Sequence, residues 1–266
     1  MTAASASPAT LALSLVAAIA YALPAAMAQR LSERAARGAL MMALVVHALA
    51  LALSLLGDTP RFGFAPALSM TAWLVLTVYT IEQQLFPQLQ VRWALAALGA
   101  ATVLLALFFP GARLHPAASP MLPLHWALGI ASYGMFAAAV VHAWLMMRAE
   151  RQIRQAAEPH AGLPLLTLER LTFRFATGGF VLLSATLLAG LVFGEAAGGP
   201  GWRWDHKTSF SVLAWIAFAA LLVGRARFGW RGRMAVRMLY IGSLLLLLAY
   251  VGSRFVLEVV LQRGGA

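Results

Sequence analysis

Apolar residues run for about twenty positions at a time, eight times along the chain: 9–28, 39–57, 64–82, 92–110, 123–147, 175–195, 208–226 and 235–257. Short clusters of Arg, Pro and Gly interrupt them. A hydrocarbon core of roughly 30 Å takes about 20 residues of α-helix to cross. Nothing alternates with period two, which argues against a membrane β-barrel. Backbone groups in lipid must be satisfied within their own segment, and that leaves helices. The pattern predicts an all-α membrane protein, a bundle of eight transmembrane helices, with 1–266 forming a single integral membrane domain.

The connections are short. Asp58–Gly63 reads as a turn. Pro110–Pro123 holds Arg113 and His115, and Gly194–Lys207 is entered through Gly198-Gly199-Pro200-Gly201. The longest connection runs from Arg148 to Arg174. Its polar start, Arg148–Glu158, is expected to prolong the fifth helix. After Pro164, Leu165, Leu168, Leu171 and Phe175 recur every three or four residues, which predicts a short interfacial helix before the sixth span. Ala26-Met27-Ala28 resembles a cleavage site after the first run. No cation precedes that run, and Arg30, Arg34 and Arg37 follow it, the reverse of a signal peptide, so it is read as a retained span.

Composition agrees with the pattern. The chain is 62% hydrophobic and 11% charged, where soluble domains carry about a quarter charged residues. A net charge of +11 raises the question of nucleic acid. Placement answers it. Of the 20 Lys and Arg, 14 fall in alternate loops and six in the others. That is the positive-inside pattern, and it puts both termini on the outer side of the membrane, the periplasmic side if that membrane is a bacterial inner membrane. No aromatic residues interleave with the charges on a soluble face, so no nucleic-acid partner is expected. There is no cysteine, hence no disulfide, no thiolate metal site and no covalent thioether attachment of haem.

Ionisable groups within a bilayer are costly and invite a functional hypothesis. His47 lies mid-way along the second run. It is either a neutral imidazole bonded to a neighbouring helix or a metal ligand. His125 opens the fifth run beside Trp126, as an interfacial anchor or a ligand for haem iron. His142 is 17 residues further on, about 25 Å along a helix, so one cofactor cannot use both. His115 and His160 fall in loops and are expected to be solvated.

The densest cluster is Trp202-Arg203-Trp204-Asp205-His206-Lys207-Thr208, just before the seventh run. Trp202 and Trp204 suit an interfacial belt, and Asp205 suits the N-cap of the seventh helix. The same residues could form a flat apolar shelf for a porphyrin. Arg203, Lys207, Arg113 and Arg254 would then face its propionates, and His206 could offer a ligand nitrogen. Arg254 and Glu258, four apart, suggest a helical ion pair. No HExxH, P-loop, GxSxG or paired-acid motif occurs.

These residues resemble the CcsA/CcmC superfamily of cytochrome c assembly proteins, whose signature is a tryptophan-rich outer loop ending in Trp-Asp. The likeness runs from Leu168-Glu169-Arg170-Leu171-Thr172-Phe173 through the Trp202–Thr208 cluster to Leu213-Ala214-Trp215. It continues through Phe228-Gly229-Trp230-Arg231-Gly232-Arg233 and Leu248-Ala249-Tyr250-Val251-Gly252-Ser253-Arg254. It is strongest over 168–258. Val46-His47-Ala48 and Leu124-His125-Trp126 resemble histidine positions of the eight-span YpjD-like branch, with HemX-like proteins as cousins. The resemblance implies non-covalent haem (haem b) held at the outer face by His125, with His47 or His206 as second ligand and Trp202, Trp204 and Asp205 around it.

Two departures weigh against full cytochrome c synthase activity. His206 stands where proline usually follows Trp-Asp. Glu258 and Gln262 occupy the region of the histidine expected after the last span. The resemblance then implies a haem-binding or haem-relaying accessory protein with no bond chemistry of its own, working with lipid, haem and cytochrome c assembly or haem-biosynthesis proteins. Two alternatives remain. One is a HemX-like regulator of a haem-biosynthetic enzyme, acting through Arg148–Arg174. The other is a small-solute transporter, against which stands the lack of an inverted repeat or of paired broken helices.

Overall fold

The computed structural model describes residues 8–27, 30–56, 61–85, 92–113, 121–155, 164–196 and 205–261. Each of the eight apolar runs is a helix: α1 (Pro8–Ala26), α2 (Glu33–Leu56), α3 (Phe64–Leu85), α4 (Arg92–Phe108), α5 (Met121–Arg154), α6 (Leu165–Ala196), α7 (His206–Phe228) and α8 (Gly232–Leu247). The chain continues from α8 through two π-helical stretches, Leu248–Gly252 and Val256–Val260. Seven helices are long and apolar enough to cross a membrane. The shorter one is α4, whose 17 residues rise about 25 Å.

Two expectations change. Among the described residues, no separate interfacial helix precedes the sixth span. The leucines after Pro164 open α6 itself, which runs unbroken for 32 residues, because nothing between Leu165 and Phe175 interrupts helical hydrogen bonding. The segment expected to turn at Asp58–Gly63 contains β1 (Arg61–Phe62), which pairs antiparallel with β2 (Ala112–Arg113). Its glycines explain how. A Cβ on Gly63 would fall 2.7 Å from the Gly111 Cα, and Gly111 itself sits at φ 79°, where glycine carries no steric penalty. The expected extension of the fifth helix forms as far as Arg154.

Contacts divide the chain into two compact units, residues 1–115 with 254–266, and residues 116–253. In the first, α1 packs on α2 and α4, and α3 packs on α4 and α2. Its core holds Tyr21, Leu76 and His47, each fully buried. In the second, α5 packs on α6, α7 on α8, and α8 on α5. The buried rings of Phe136 and Phe218 stack there at 3.6 Å. Gly179 and Gly242 lie so close to these rings that a Cβ would come within 3.1 Å or less. Glycine lets the helices close on the stacked pair without a cavity.

Hydroxyls within the helices are mostly returned to their own backbone. Thr71, Thr77, Thr80, Thr172 and Thr186 each donate to the carbonyl four residues back. Such bonds remove polar hydrogens from an apolar exterior. That exterior carries Leu, Ile, Val and Met at high exposure on α1, α2, α6 and α8, as a lipid-facing surface requires.

Candidate functional site

At the end of the second unit where α5 and α7 begin and α6 ends, four elements bring polar groups together. His125, in the first turns of α5, lies against Gly190 of α6; a Cβ there would stand 3.2 Å from the imidazole Cε1. Glycine is what lets the ring edge approach α6 this closely. The Thr186 backbone and the Lys207 ammonium are its polar surroundings. Its Nδ1 is buried and makes no hydrogen bond. An imidazole nitrogen in that condition keeps a lone pair or a proton for an incoming group.

The head of α7 is fixed by Asp205. Its Oδ1 accepts the Thr208 N–H at 2.8 Å, the N-cap expected from sequence. Partial burial pushes the Asp205 carboxyl up. The Thr208 amide and hydroxyl and the Lys207 charge outweigh that and hold it below the usual carboxylate range. His206 and Lys207 follow, both exposed. The Lys207 ammonium stands 5.5 Å over the Tyr250 ring, a cation–π contact. Tyr250 lies in the first π-helical stretch. Tyr133, two turns below His125 on α5, donates its hydroxyl to the Leu246 carbonyl just before that stretch. π-Helical turns are rare and concentrate at functional positions.

The site therefore joins His125, Lys207 and the Asp205–His206 helix head with Tyr133 and Tyr250. Trp202 and Trp204, the expected shelf, lie outside the described residues, as do Arg203, His115 and His160.

His47 belongs to the first unit and has a different environment. It is 1% exposed. Its Nδ1 is 3.2 Å from the Tyr21 hydroxyl and its Nε2 is 2.8 Å from Ser69 Oγ. A neutral imidazole donates at one nitrogen and accepts at the other, and both hydroxyls can serve either way. One helical turn away, Trp73 Nε1 donates to the Leu44 carbonyl and ties α3 to α2. His142, on α5, donates from Nδ1 to the Ala138 carbonyl at 2.8 Å and stacks on Phe175.

Arg113 is exposed on β2, and Arg254 acts electrostatically on Glu258. The Glu258 carboxylate lies against Gly63 and the Phe64 backbone, at the start of α3, where a negative charge meets the free N–H groups of a helix. Among the described residues, no group of three or more His, Asp or Glu could hold a metal ion.

Sequence reasoning missed Tyr133, Gly190 and Tyr250. Tyr133 follows His125 by eight residues, two helical turns, and that spacing was the available signal. Gly190 carried none, since its importance is a contact with a ring 65 positions earlier.

The comparisons with known proteins converge. The inner membrane protein YpjD of Escherichia coli is 29% identical over 229 residues, covering 83% of this chain and 85% of that protein. The cytochrome c biogenesis protein CcsA of Prochlorococcus marinus is 35% identical over 88 residues, 33% of this chain and 28% of that one. CcsA of Gloeobacter violaceus is 34% identical over 92 residues, 35% and 27% of the two chains. No solved structure matches the chain. Like the E. coli relative, this is a multi-pass protein of the inner membrane. The cytochrome C assembly protein family matches residues 10–261, from the first helix to the last π-helical stretch, and the chain belongs to that family.

Proposed function

We propose that this protein binds or relays haem in the inner membrane as an accessory to cytochrome c assembly. The observation that carries this reading is the buried, unbonded Nδ1 of His125. It stands in a family of cytochrome c assembly proteins and beside a helix head with an exposed histidine and lysine. Leaving such a nitrogen without a partner costs about 1–3 kcal/mol, a cost that a ligand bond would offset. His125 and His206 would hold the iron, with His47 entering only by giving up Tyr21 or Ser69. Lys207 would meet a propionate, and Trp202 and Trp204 would cover the ring face. Haem, non-covalently held, would supply the iron and its redox chemistry; the protein's own part is binding, orientation and exclusion of water.

The working arrangement is one membrane domain of eight spans, with α4 as the short one and both termini outside. Reporter fusions after Arg263 and within Arg151–Pro159 should then report opposite membrane sides. The same side for both would end the arrangement. The function itself is tested by the absorption spectrum of detergent-purified protein, oxidised and reduced. A Soret band of bis-histidine character is expected, and colourless protein from haem-replete cells would refute the proposal.

A further inference from the structure

The opposite end of the second unit carries a cleft of about 520 Å³. It opens where α6 and α8 begin and α7 ends. Four guanidinium groups line it, those of Arg170, Arg174, Arg225 and Arg231, against the single carboxylate of Glu169. We propose that this cleft binds the phosphate group of an anionic ligand, at the level where phospholipid headgroups lie.

One arginine is held on two sides and a second reaches the same carboxylate. Arg225 is ion-paired to Glu169, and its guanidinium carbon lies 4.3 Å over the Phe173 ring. A guanidinium held over an aromatic face loses freedom, which favours an oriented fork of donors. Arg231 Nε reaches the same Glu169 oxygen at 3.6 Å. The turn between α7 and α8 is shaped by two glycines and a tryptophan. Gly229 (φ 64°) caps α7 by donating its N–H to the Gly224 carbonyl, Gly232 follows at φ 57°, and the Trp230 ring packs onto Gly224. Arg225 and Arg231 therefore come to Glu169 from the two sides of this turn.

The other two arginines are the ones a ligand would complete. Arg170 and Arg174 stand one turn apart on α6, both exposed, and neither has a carboxylate partner among the described residues. Like charges at that spacing repel on a helix surface. A scattered basic excess would satisfy the positive-inside pattern equally well. What that pattern does not require is convergence of four forks on one cavity with one acid. The apolar part of α6 begins at Phe175, and Leu166 and Phe173 add apolar wall to the cleft. The cations thus stand at the boundary between polar and apolar helix, where basic pockets take lipid phosphates.

The test is native mass spectrometry of the full chain in detergent, titrated with phosphatidylglycerol, with phosphatidylcholine, or with pyrophosphate in a parallel arm. Retention of phosphatidylglycerol over phosphatidylcholine is expected. Arg170→Gln with Arg174→Gln should weaken it about tenfold or more, the loss of two surface cations. Arg227→Gln with Arg233→Gln removes the same charge from outside the cleft and should leave retention unchanged. Binding of pyrophosphate with no selectivity for phosphatidylglycerol, lost in the first pair of variants, would assign the site to a soluble phosphate ligand instead. Binding of neither probe, or equal loss in both pairs, would overturn the proposal. Haem content measured on the same samples keeps this test separate from the haem proposal, because none of these residues borders His125.

Discussion

His47 and His125 are both enclosed histidines in a chain with few polar groups, and the fold treats them oppositely. His47 has a hydroxyl at each nitrogen, from Tyr21 and Ser69 on two other helices. His125 has glycine on one side, the Thr186 backbone and a lysine nearby, and no bond at Nδ1. A buried polar group with its partners in place is at rest; one without them carries a free-energy cost that some other benefit must outweigh. Depth within the span is thus a poor guide to whether an imidazole lacks partners. His47 is the more deeply buried of the two, and both its nitrogens are met.

The largest effect is expected from removing the His125 imidazole and reading the spectrum. His125→Ala should lose the Soret band nearly completely, and His160→Ala should not change it. Exogenous imidazole, offering the same donor nitrogen, should restore part of the band. Full haem content in His125→Ala would take this residue out of the site and leave the two histidines equivalent.

A smaller effect is expected from the loop that precedes α7. Replacing Trp202 and Trp204 together by Leu keeps apolar bulk and removes the aromatic faces. If the indoles cover the porphyrin, this variant inserts normally but holds several-fold less haem, since each aromatic contact is worth about 0.5–1.5 kcal/mol beyond its area. Normal haem at normal expression would return both tryptophans to the interfacial belt.

His47→Ala should show the complementary phenotype. It strands the Tyr21 and Ser69 hydroxyls and opens a small cavity, which costs about 1–3 kcal/mol. Ser69 can recover part of this by bonding its own helix. The expected result is a lower thermal midpoint in detergent with unchanged haem per folded molecule. A normal midpoint with lost haem would make His47 the ligand and reverse the comparison.

The difference between the two histidines was not legible in the sequence, and the reason is physical. Apolar runs located α1 to α8 because a lipid-facing helix is apolar nearly all round. The same uniformity hides which face meets a neighbour. Nothing in Val45-Val46-His47-Ala48 says that Tyr21 and Ser69 arrive on its two sides. Boundaries failed where polar residues continue a helix. α2 begins at Glu33, six residues before its apolar run, and α6 begins ten before. The π-helical turns at Leu248 and Val256 were invisible, since the run there is apolar in either geometry. The arginines of the cleft were counted as a charge excess, and only packing of α6 against the α7–α8 turn shows that they converge. The Asp205 cap was readable because its signal is local: an acid three residues before the N–H it accepts.

That cap gives the smallest and cleanest separation of structure from function at the site. Asn caps about as well as Asp, whereas Ala should cost about 1 kcal/mol. If Asp205 acts only on the helix head, Asp205→Asn will match wild type in midpoint and haem content at pH 7, and Asp205→Ala will lower the midpoint alone. The two isosteres should part company in acid. The folded carboxyl titrates below its ordinary range because its bonds to Thr208 and the Lys207 charge outweigh partial burial. Its contribution is then fully present above the unfolded aspartate pKa of about 3.9 and is lost as pH falls through the lower folded value. Between pH 5 and pH 3 the wild-type midpoint should fall further than that of Asp205→Asn, which has no proton to take up there. Parallel curves would mean that Asp205 caps as an oxygen and nothing more. A haem deficit in Asp205→Asn at pH 7, with the midpoint unchanged, would show instead that its charge is part of the haem site.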